Sequence, residues 1–480
     1  MRREQADVCV IGSGAGGSVI AYEAAKRGLS TLILERGPYV RGREMNHSEF
    51  DMLTRLYKDS ALQFNTSLDL FISQGSCVGG STVLSNGVLL RPEEHVLTHW
   101  KDLGAVFDRE ALEVSYDKIE AALGAVTPAR NNVCSTTRLF FEGAQKLGLQ
   151  PKWMKKALGA CVGCGHCNIG CIYDHKRSAL TTYIPWAEEK GARVLADTTV
   201  DRIQHRGGHA GTLEAHSGPD KERVLIDAGL VVVAAGAIGS STVLQKSGIT
   251  RNVGTRVSFN AGSMVTAEFA EPIDAFDGDQ MTAYLQGDGF LIEPTHYPVM
   301  TAALTTPGWM GDHARLMKSF RNLAYAGALI PTEPTGQVVQ SPFFGHEETR
   351  YHASPGDLAK LKRGLETICR IFFAVGAKRV VLPTHNLTSL DSVAELPRVA
   401  TAFHSAKEIC FGSSHPMGGN PFSEDRKIGV VDRSFAVHDF DNLFVCDASI
   451  FPSALGVNPI STIMAFADYA APRILARAPR

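Results

Sequence analysis

The sequence lacks any apolar run that approaches the roughly 20 residues that a helix needs to cross a bilayer. Its first apolar stretch, Val8 to Ile11, leads directly into a glycine-rich segment. That pattern favours a buried strand over the apolar core of a secretory signal peptide. We therefore predict a cytoplasmic protein without a membrane span.

An excess of charge of either sign is also missing. Lys and Arg number 48 and Asp and Glu number 50, which gives a formal net charge of -2. No electrostatic feature therefore predicts nucleic acid or an anionic membrane as a partner. Internal repeats and low-complexity segments are absent as well, so the 480 residues are predicted to fold as a globular protein with more than one core.

The first 35 residues have the pattern strand, glycine turn, helix, strand. Residues 12–17 are Gly-Ser-Gly-Ala-Gly-Gly, which fits G-x-G-x-x-G between a strand and a helix. Such glycines permit a tight turn, close approach of the backbone to a pyrophosphate and close helix packing. Glu35 ends the second strand, where its carboxylate can accept hydrogen bonds from ribose hydroxyls. This unit predicts dinucleotide binding without deciding between FAD and NAD.

Three later segments decide the cofactor. Residues 75–87 form a second glycine-rich stretch, residues 234–240 read Ala-Ala-Gly-Ala-Ile-Gly-Ser, and residues 442–465 contain Cys-Asp-Ala-Ser and Gly-Val-Asn-Pro. Together with the amino-terminal motif they resemble the glucose–methanol–choline (GMC) oxidoreductase family, in the family's order and over nearly the whole chain. The least similar part is 261–400. The resemblance implies an FAD-dependent oxidoreductase.

The resemblance also implies a set of FAD-binding positions. Gly79, Gly80 and Ser81 would follow the pyrophosphate and the flavin edge, the Val200 backbone would read adenine, and Asp447 would lie near the ribityl and phosphate portion. The predicted cofactor-binding residues are Gly12, Gly14, Ala15, Gly16, Gly17, Glu35, Arg36, Gly75, Gly79, Gly80, Ser81, Asn86, Gly87, Val200, Ala235, Gly236, Asp447, Ala448, Asn458 and Pro459.

The mode of flavin attachment follows from one position of the second glycine-rich stretch. Some members of the family attach FAD covalently through a histidine just before the loop asparagine. Here Ser85 precedes Asn86, which predicts a non-covalent flavin.

A catalytic pair, His415 and Asn458, is likewise implied by the resemblance. A histidine with a pKa near the operating pH is suited to take the hydroxyl proton of an alcohol, while flavin N5 accepts the hydride. Asn458 would hydrogen-bond the substrate oxygen and orient it. Asn458 followed by Pro459 also fits a helix N-cap and first turn, which predicts a helix over 459–470. His404 is an alternative candidate for the base.

Four of the ten cysteines cluster at Cys161, Cys164, Cys167 and Cys171, with the spacing of a bacterial ferredoxin run. The proline that usually follows is replaced by Ile172, and no second set of cysteines is nearby. Three interpretations stay open: thiols or disulfides without metal, an iron–sulfur cluster, and zinc, which the tight spacing disfavours.

The predicted fold class is α/β: a Rossmann-like FAD-binding domain plus an α+β substrate domain with an antiparallel sheet. The FAD-binding domain would be assembled from residues 1–100, 191–260 and 401–480, the last of these carrying the catalytic pair. Residues 101–190 would form a connecting or substrate region with the cysteine cluster, and residues 261–400 the substrate domain.

The predicted function is oxidation of a primary or secondary alcohol, or of a sugar hydroxyl, with oxygen, a quinone or a cytochrome as electron acceptor. Two alternatives remain. The fold could host a lyase in which FAD is structural, or the chain could be a dehydrogenase subunit that passes electrons through an iron–sulfur cluster to a cytochrome partner. The sequence indicates neither the substrate nor the oligomeric state.

Overall fold

A computed structural model describes residues 1–341 and 347–478 of the chain. The strands within these residues are β1 (Arg2–Ile11), β2 (Thr31–Leu34), β3 (Gln63–Phe64), β4 (Phe71–Ile72), β5 (Val88–Leu89), β6 (Ala125–Val126), β7 (Lys152–Trp153), β8 (Lys155–Ala157), β9 (Arg193–Leu195), β10 (Thr198–Arg206), β11 (His209–Ser217), β12 (Glu222–Val233), β13 (Thr255–Glu268), β14 (Ala283–Gly287), β15 (Phe290–Thr295), β16 (Leu323–Pro331), β17 (Gln337–Gln340), β18 (Glu347–Arg350), β19 (Arg379–Val381), β20 (Ser389–Leu390), β21 (Gly412–Ser413), β22 (Pro416–Gly419) and β23 (Leu443–Val445). The helices are α1 (Ala15–Lys26), α2 (Glu49–Leu56), α3 (Glu94–Asp102), α4 (Arg109–Ala122), α5 (Ser135–Lys146), α6 (Tyr183–Glu189), α7 (Gly236–Lys246), α8 (Val299–Thr305), α9 (Gly311–Lys318), α10 (Pro355–Ala374) and α11 (Ile460–Leu475).

The first sheet is built around a parallel core. Its order is β10-β11-β12-β1-β2-β9, with β23 also pairing with β12. Strand β1 runs parallel to β2 and β12, whereas β10, β11 and β12 form an antiparallel meander. The last four residues of β1 are buried, as expected for a strand covered on both faces. This arrangement is the Rossmann-like sheet that the amino-terminal motif predicts.

The second sheet is largely antiparallel and is covered by the longest helix. Its order is β3-β4-β21-β13-β16-β15-β14-β7, with β19, β20 and β22 attached. Helix α10 begins with a capping box, because Ser354 accepts from the Asp357 backbone and Asp357 from the Ser354 backbone, and Pro355 is the first helical residue. Its apolar face, including Leu361, Leu365 and Ile368, packs in one core with the sheet. The predicted fold class is confirmed.

The domain boundaries stay a prediction. Strand β13 runs across the predicted boundary at residue 260, and β3, β4, β21 and β22 bring segments from both ends of the chain into the second sheet. The second sheet therefore draws on more of the chain than residues 261–400. Among the described residues, no helix is both long enough and apolar enough to span a bilayer.

Candidate active site

The strand register of the first sheet places three of the four predicted motifs, together with Glu35, at the same end of neighbouring strands. Ile11 lies opposite Leu34 in β2 and opposite Val233 in β12, and Val233 lies opposite Val445 in β23. All four strands are parallel, so the residues that follow them emerge together. The crevice at the carboxyl ends of parallel strands is where such sheets bind ligands.

The first glycine-rich loop combines close packing with one open position. A Cβ on Gly12, which has a φ of +102°, would lie 2.3 Å from the Ala234 oxygen, and one on Gly16 would lie 2.0 Å from the Cys446 oxygen. A Cβ on Gly17 would lie 2.0 Å from the Gly12 oxygen. A Cβ on Gly14 would meet no protein atom within 4 Å. Of the four glycines of this loop, only Gly14 has open space beside it, and this is the position predicted to let a pyrophosphate approach.

Glu35 is buried and ties the first loop to the second. Its Oε2 accepts from the Ser13 backbone nitrogen at 3.1 Å and from Ser13 Oγ at 2.7 Å, and its Oε1 accepts from the Gly37 nitrogen at 3.0 Å. Ser13 Oγ in turn accepts from the Gly79 nitrogen at 2.9 Å. Ser13 was not among the predicted residues, although its place inside the motif could have suggested it. The ribose-binding role of Glu35 stays a prediction.

The second glycine-rich loop faces the first. Gly80 has a φ of +55°, and a Cβ there would lie 3.0 Å from the Gly14 Cα. The Gly75 nitrogen donates to Ser81 Oγ at 2.9 Å, which closes the loop on itself. At its end Asn86 is buried and donates to Asn168 Oδ1 at 2.9 Å.

Asp447 belongs to the motif that follows β23, and its buried carboxyl group contacts the motif that follows β12. Its Oδ2 accepts from the Gly236 nitrogen at 2.8 Å and from Ser240 Oγ, and its Oδ1 accepts from the Ser449 nitrogen at 2.8 Å. Burial raises the pKa of the Asp447 carboxyl above its usual range, although these hydrogen bonds oppose the rise. The carboxyl group fixes the start of α7 against the turn that follows β23.

Five of the other predicted cofactor-binding residues lie within or next to the segments described above, and Val200 is two residues from Thr198, whose backbone nitrogen donates to the Glu35 oxygen at 2.8 Å. Val200 is buried in β10 opposite Ala215, next to an irregularity in the register. Arg36 follows Glu35 directly, and Ala15 is the first residue of α1. The placements are compatible with the predicted roles, and the roles themselves stay predictions. The positions in this group are Ala15, Arg36, Gly87, Val200, Ala235 and Ala448.

His415 lies immediately before β22, a strand that pairs with β13. Its backbone nitrogen donates to Ser413 Oγ at 3.0 Å. Its Nδ1 is buried and has no hydrogen-bond partner among the described residues. Burial lowers the pKa of His415 to about 4, below the near-neutral value that the sequence suggested, because the site shields the imidazolium from water. The alternative candidate, His404, is exposed.

Asn458 is buried at the start of α11, but it does not cap that helix. The helix begins at Ile460 with Pro459 as its N-cap residue and continues to Leu475, so the predicted helix 459–470 is one residue early and five residues short. Asn458 Oδ1 has no partner among the described residues, which leaves its amide oxygen unbonded in the interior. The capping role was wrong because this side chain turns to the site instead of the helix.

Asn260 connects the two predicted catalytic segments and was missed by sequence reasoning. Its Nδ2 donates to the Val457 oxygen at 2.6 Å, and its Oδ1 accepts from the Gly456 nitrogen at 3.0 Å. Its backbone nitrogen donates to the His415 oxygen at 3.3 Å, and its backbone oxygen accepts from Ser413 Oγ at 2.7 Å. One buried residue in β13 therefore holds the two segments in fixed relation, through its backbone on the His415 side and through its side chain on the Asn458 side.

Glu293 is a second residue that sequence reasoning missed. It lies in the middle of β15, where its side chain is almost completely buried. Burial raises the pKa of Glu293 to about 7, and a hydrogen bond with Asn458 offsets part of the rise. The sequence Phe-Leu-Ile-Glu-Pro at 290–294 contained the signal, since a lone carboxylate in an apolar strand requires a reason to be there.

The loop of residues 161–171, here called the cysteine loop, lies against the second glycine-rich loop. Lys176 is buried, and its Nζ donates to the carbonyl oxygens of Cys167 at 2.6 Å, Val83 at 2.6 Å and Ser85 at 2.7 Å. Burial lowers the pKa of this ammonium group. The four cysteines line a cavity of about 20 Å³, which has room for about one water molecule.

The residues at the sheet edge and beside it fit an FAD molecule. Gly14 leaves open space where a pyrophosphate would lie. Asn86 Oδ1, His415 Nδ1 and Asn458 Oδ1 are buried polar atoms without a partner in the part of the chain that the structure describes. Buried polar atoms are normally bonded, so unpaired ones point to a ligand.

The sequence pattern of GMC oxidoreductases matches residues 8–260 and 340–467 of this chain. The chain belongs to the GMC oxidoreductase family. The predicted family is confirmed, and as a member of this flavoprotein family the chain is an FAD-dependent oxidoreductase. The iron–sulfur cluster gains no support from the comparisons and stays a prediction.

Several relatives match nearly the whole chain. An uncharacterised GMC-type oxidoreductase of Mycobacterium tuberculosis is 29% identical over 98% of this chain and 76% of its own length. A long-chain-alcohol oxidase of Arabidopsis thaliana is 25% identical over 96% of this chain and 67% of its own length. A cholesterol oxidase of Acinetobacter baumannii is 25% identical over 97% of this chain and 93% of its own length.

Among solved structures, pyridoxine 4-oxidase from Mesorbium loti superposes with a TM-score of 0.75 at 18% identity, over 97% of this chain and 98% of that one. Formate oxidase superposes with a TM-score of 0.74 at 12% identity, over 99% of both chains. At these identities the similarity establishes the fold.

Proposed function

We propose that this protein oxidises the hydroxyl group of an alcohol, with His415 as the base and Asn458 as the residue that orients the substrate oxygen. The observation that carries the proposal is the pair of buried, unbonded polar atoms, His415 Nδ1 and Asn458 Oδ1, whose segments Asn260 holds together. The oxidation is a two-electron step. The hydroxyl proton and the hydride on the adjacent carbon both leave, and the alcohol becomes a carbonyl compound.

FAD bound at the sheet edge would supply the hydride acceptor. His415 takes the proton from the hydroxyl group. Because burial lowers its pKa to about 4, the ring is uncharged at neutral pH and has a nitrogen lone pair available. Asn458 fixes the hydroxyl group by hydrogen bonding so that it faces the base.

Glu293 completes the cluster, and with a pKa of about 7 its carboxyl group is about half protonated at pH 7. It shares a hydrogen bond with Asn458, so its protonation state affects how the Asn458 amide is oriented. A protonated carboxyl can donate a hydrogen bond, whereas a carboxylate only accepts. Glu293 is therefore proposed as a positioning residue that acts through Asn458.

The proposed substrate is an alcohol with an apolar body. Relatives of this chain are named for long-chain alcohols and for cholesterol. The segment that continues from β15 beyond Glu293 exposes several large apolar side chains, among them Val299, Leu304 and Trp309. Single exposed apolar residues are common, but a run of them in the segment adjoining the site favours an apolar substrate over a sugar.

Molecular oxygen is the proposed electron acceptor, and the flavin is proposed to be non-covalent. Two of the relatives and both structural neighbours are named as oxidases, which supports oxygen over a quinone or a cytochrome. Ser85 precedes Asn86 and has no nitrogen with which to bond the flavin; its Oγ donates to the Thr82 oxygen at 3.1 Å. Denaturing the protein with acid should release all of the yellow cofactor into the supernatant.

The test is an anaerobic mixing experiment with long-chain primary alcohols, a sterol, short alcohols and sugars, in which the visible flavin absorbance is followed. We expect the apolar alcohols to bleach the flavin and oxygen to restore the colour with formation of hydrogen peroxide. A flavin that no alcohol bleaches would contradict the proposal and would favour the lyase alternative. Bleaching followed by reoxidation with a quinone but not with oxygen would overturn the choice of acceptor.

A further inference from the structure

Three potential metal ligands from two distant segments meet beside the cysteine loop. His47 lies just before α2, and Cys164 and His166 lie in the loop itself. One ligand atom of each lies within 4.8 Å of the others. Within residues 1–341 and 347–478 no other group of three or more His, Cys, Asp and Glu side chains meets this condition. The group contains only one of the four clustered cysteines.

The local geometry prepares the His166 imidazole for metal binding. His166 Nδ1 lies 2.6 Å from the Cys164 carbonyl oxygen, and because a carbonyl oxygen only accepts, Nδ1 must be the donor. In the neutral ring this leaves Nε2 with a free lone pair, as in metal-binding histidines whose other nitrogen donates to a carbonyl. The His47 and His166 rings are stacked, with centroids 4.2 Å apart and an angle of 9° between their planes. Because an imidazole lone pair lies in the plane of its ring, the exposed His47 ring must rotate out of this stack before both rings can bind one ion.

The segment that carries His47 is held in place by its own hydrogen bonds. The Ser48 nitrogen donates to Asn46 Oδ1 at 2.8 Å, and Ser48 Oγ accepts from the Asp51 nitrogen at the start of α2. Glu49 accepts from the Met300 nitrogen at 2.7 Å and from the Thr301 nitrogen at 2.9 Å. His47 is therefore presented to the cysteine loop by an anchored turn.

We propose that His47, Cys164 and His166 bind a zinc ion, with a fourth position open to solvent. Two imidazoles and one thiolate form a donor set that suits zinc and does not suit magnesium or calcium. In a tetrahedral zinc site with bonds of about 2.0 to 2.3 Å, ligand atoms lie roughly 3.3 to 3.8 Å apart. Side-chain rotation can close the remaining gap, because His47 is exposed and the other two side chains are only half-buried.

Zinc at this place would join the His47 turn to the loop beside the flavin-binding segment. Lys176 bonds the cysteine loop at Cys167 to Val83 and Ser85, and Asn168 accepts from Asn86. The ion lies outside the proposed catalytic cluster of His415 and Asn458. We therefore expect it to stabilise the fold around the flavin rather than to take part in alcohol oxidation.

The test uses the full-length protein, purified under a thiol-free reductant, stripped with a chelator, incubated with zinc sulfate and desalted. Elemental analysis then gives zinc and iron per chain for the wild type, His47→Ala and Cys164→Ser. Cys161→Ser is the matched cysteine control, and His95→Ala, which changes another exposed histidine, is the matched histidine control. We expect one zinc per chain in the wild type and both controls, and almost none in the two site variants.

Other outcomes overturn the proposal. A wild type that keeps no zinc contradicts it, and so does an equal loss of zinc in Cys161→Ser, which would assign the metal to the four cysteines. Iron in place of zinc would do the same. Because Cys164→Ser could disturb the loop, His47→Ala decides if that variant fails to fold: added zinc should raise the melting temperature of the wild type and of His95→Ala, but not of His47→Ala. The flavin content per chain reports proper folding in every variant and is independent of the alcohol that the enzyme oxidises.

Discussion

The edge of the first sheet, where its parallel strands end, differs in its buried polar atoms from the proposed catalytic cluster of His415, Asn458 and Glu293. At the edge, both oxygens of Glu35 and both oxygens of Asp447 are bonded within the protein. In the cluster, His415 Nδ1 and Asn458 Oδ1 have no partner among the described residues. Both carboxyl groups at the edge are therefore satisfied by the chain itself, whereas His415 and Asn458 retain free hydrogen-bonding capacity.

The difference distinguishes the edge, which holds the loops in place, from the cluster, where the reaction is proposed to occur. A buried polar atom without a partner costs about 1 to 3 kcal/mol, and a ligand that bonds such an atom removes this cost. The carboxyl groups at the edge hold loops together, and the pKa values in the cluster are shifted so that His415 is uncharged and Glu293 is about half protonated near pH 7. Perturbed groups of this kind mark functional sites.

The largest effect should come from His415→Ala. Removing a general base typically lowers a rate about 10²- to 10⁴-fold, so we expect flavin reduction by the best alcohol to slow by this factor. Stopped-flow absorbance under anaerobic conditions measures it. His404→Ala is the matched control, since that histidine is exposed, and it should react at the wild-type rate. An unchanged rate in His415→Ala would remove this residue from the mechanism.

Asp447→Ala should lower the stability of the protein and its flavin content without removing a residue of the catalytic cluster. The change leaves the Gly236 nitrogen, the Ser449 nitrogen and the Ser240 hydroxyl without their acceptor. We expect a loss of roughly 2 to 4 kcal/mol in the free energy of unfolding, and most of the bound flavin should be lost with it. Denaturant unfolding and flavin absorbance per chain check both. Asp441→Ala, at an exposed position, should leave both unchanged.

Substituting two glycines of the first glycine-rich loop should separate an effect on folding from an effect on cofactor binding. In Gly16→Ala the new methyl group would lie 2.0 Å from the Cys446 oxygen, so we expect the apoprotein to lose about 1 to 3 kcal/mol of stability. In Gly14→Ala the methyl group meets no protein atom within 4 Å. We expect that variant to melt normally as apoprotein and to bind FAD about tenfold more weakly, or about 1.4 kcal/mol. Equal effects in the two variants would contradict the assignment of Gly14 to the pyrophosphate.

The last prediction concerns how the free energy of unfolding changes with pH in Glu293→Gln. The pKa of Glu293 is about 7 in the folded protein, against 4.5 for a glutamate that is not buried. Between these values the folded protein binds more protons than the unfolded chain, so stability falls as the pH rises. Gln removes this pH dependence, so relative to the wild type the variant should be about 2 to 3 kcal/mol more stable at about pH 8 than at about pH 5. Thermal unfolding at the two pH values measures the difference, and a parallel shift at both would argue against a raised pKa.

The sheet edge could be predicted because its signals are local. Each motif consists of consecutive residues, such as 12–17, and the carboxyl ends of parallel strands bring the motifs together in any sheet of this kind. The cluster could be predicted only in part. His415 and Asn458 came from resemblance, whereas Asn260 and Glu293 depend on how β13 and β15 pair with strands far away in the chain.

The helix start at Asn458 shows why a local rule can fail beside a site. Asn followed by Pro is a favoured beginning of a helix. In the fold the neighbouring turn is fixed by Asn260, which accepts from the Gly456 nitrogen and donates to the Val457 oxygen. The helix begins at Ile460, and the Asn458 side chain interacts with Glu293 instead of the helix backbone. Contacts between distant strands override the local preference.

The buried Lys176 ammonium group links the cysteine loop to the second glycine-rich loop. Three carbonyl oxygens from two loops converge on this one nitrogen, so neither loop can shift without breaking a charge-assisted hydrogen bond. Alkylation or oxidation of a thiol in residues 161–171 should therefore alter the colour and fluorescence of the bound flavin, although no cysteine of that loop needs to touch the ring. The flavin becomes an optical reporter for chemical events that take place outside its own pocket.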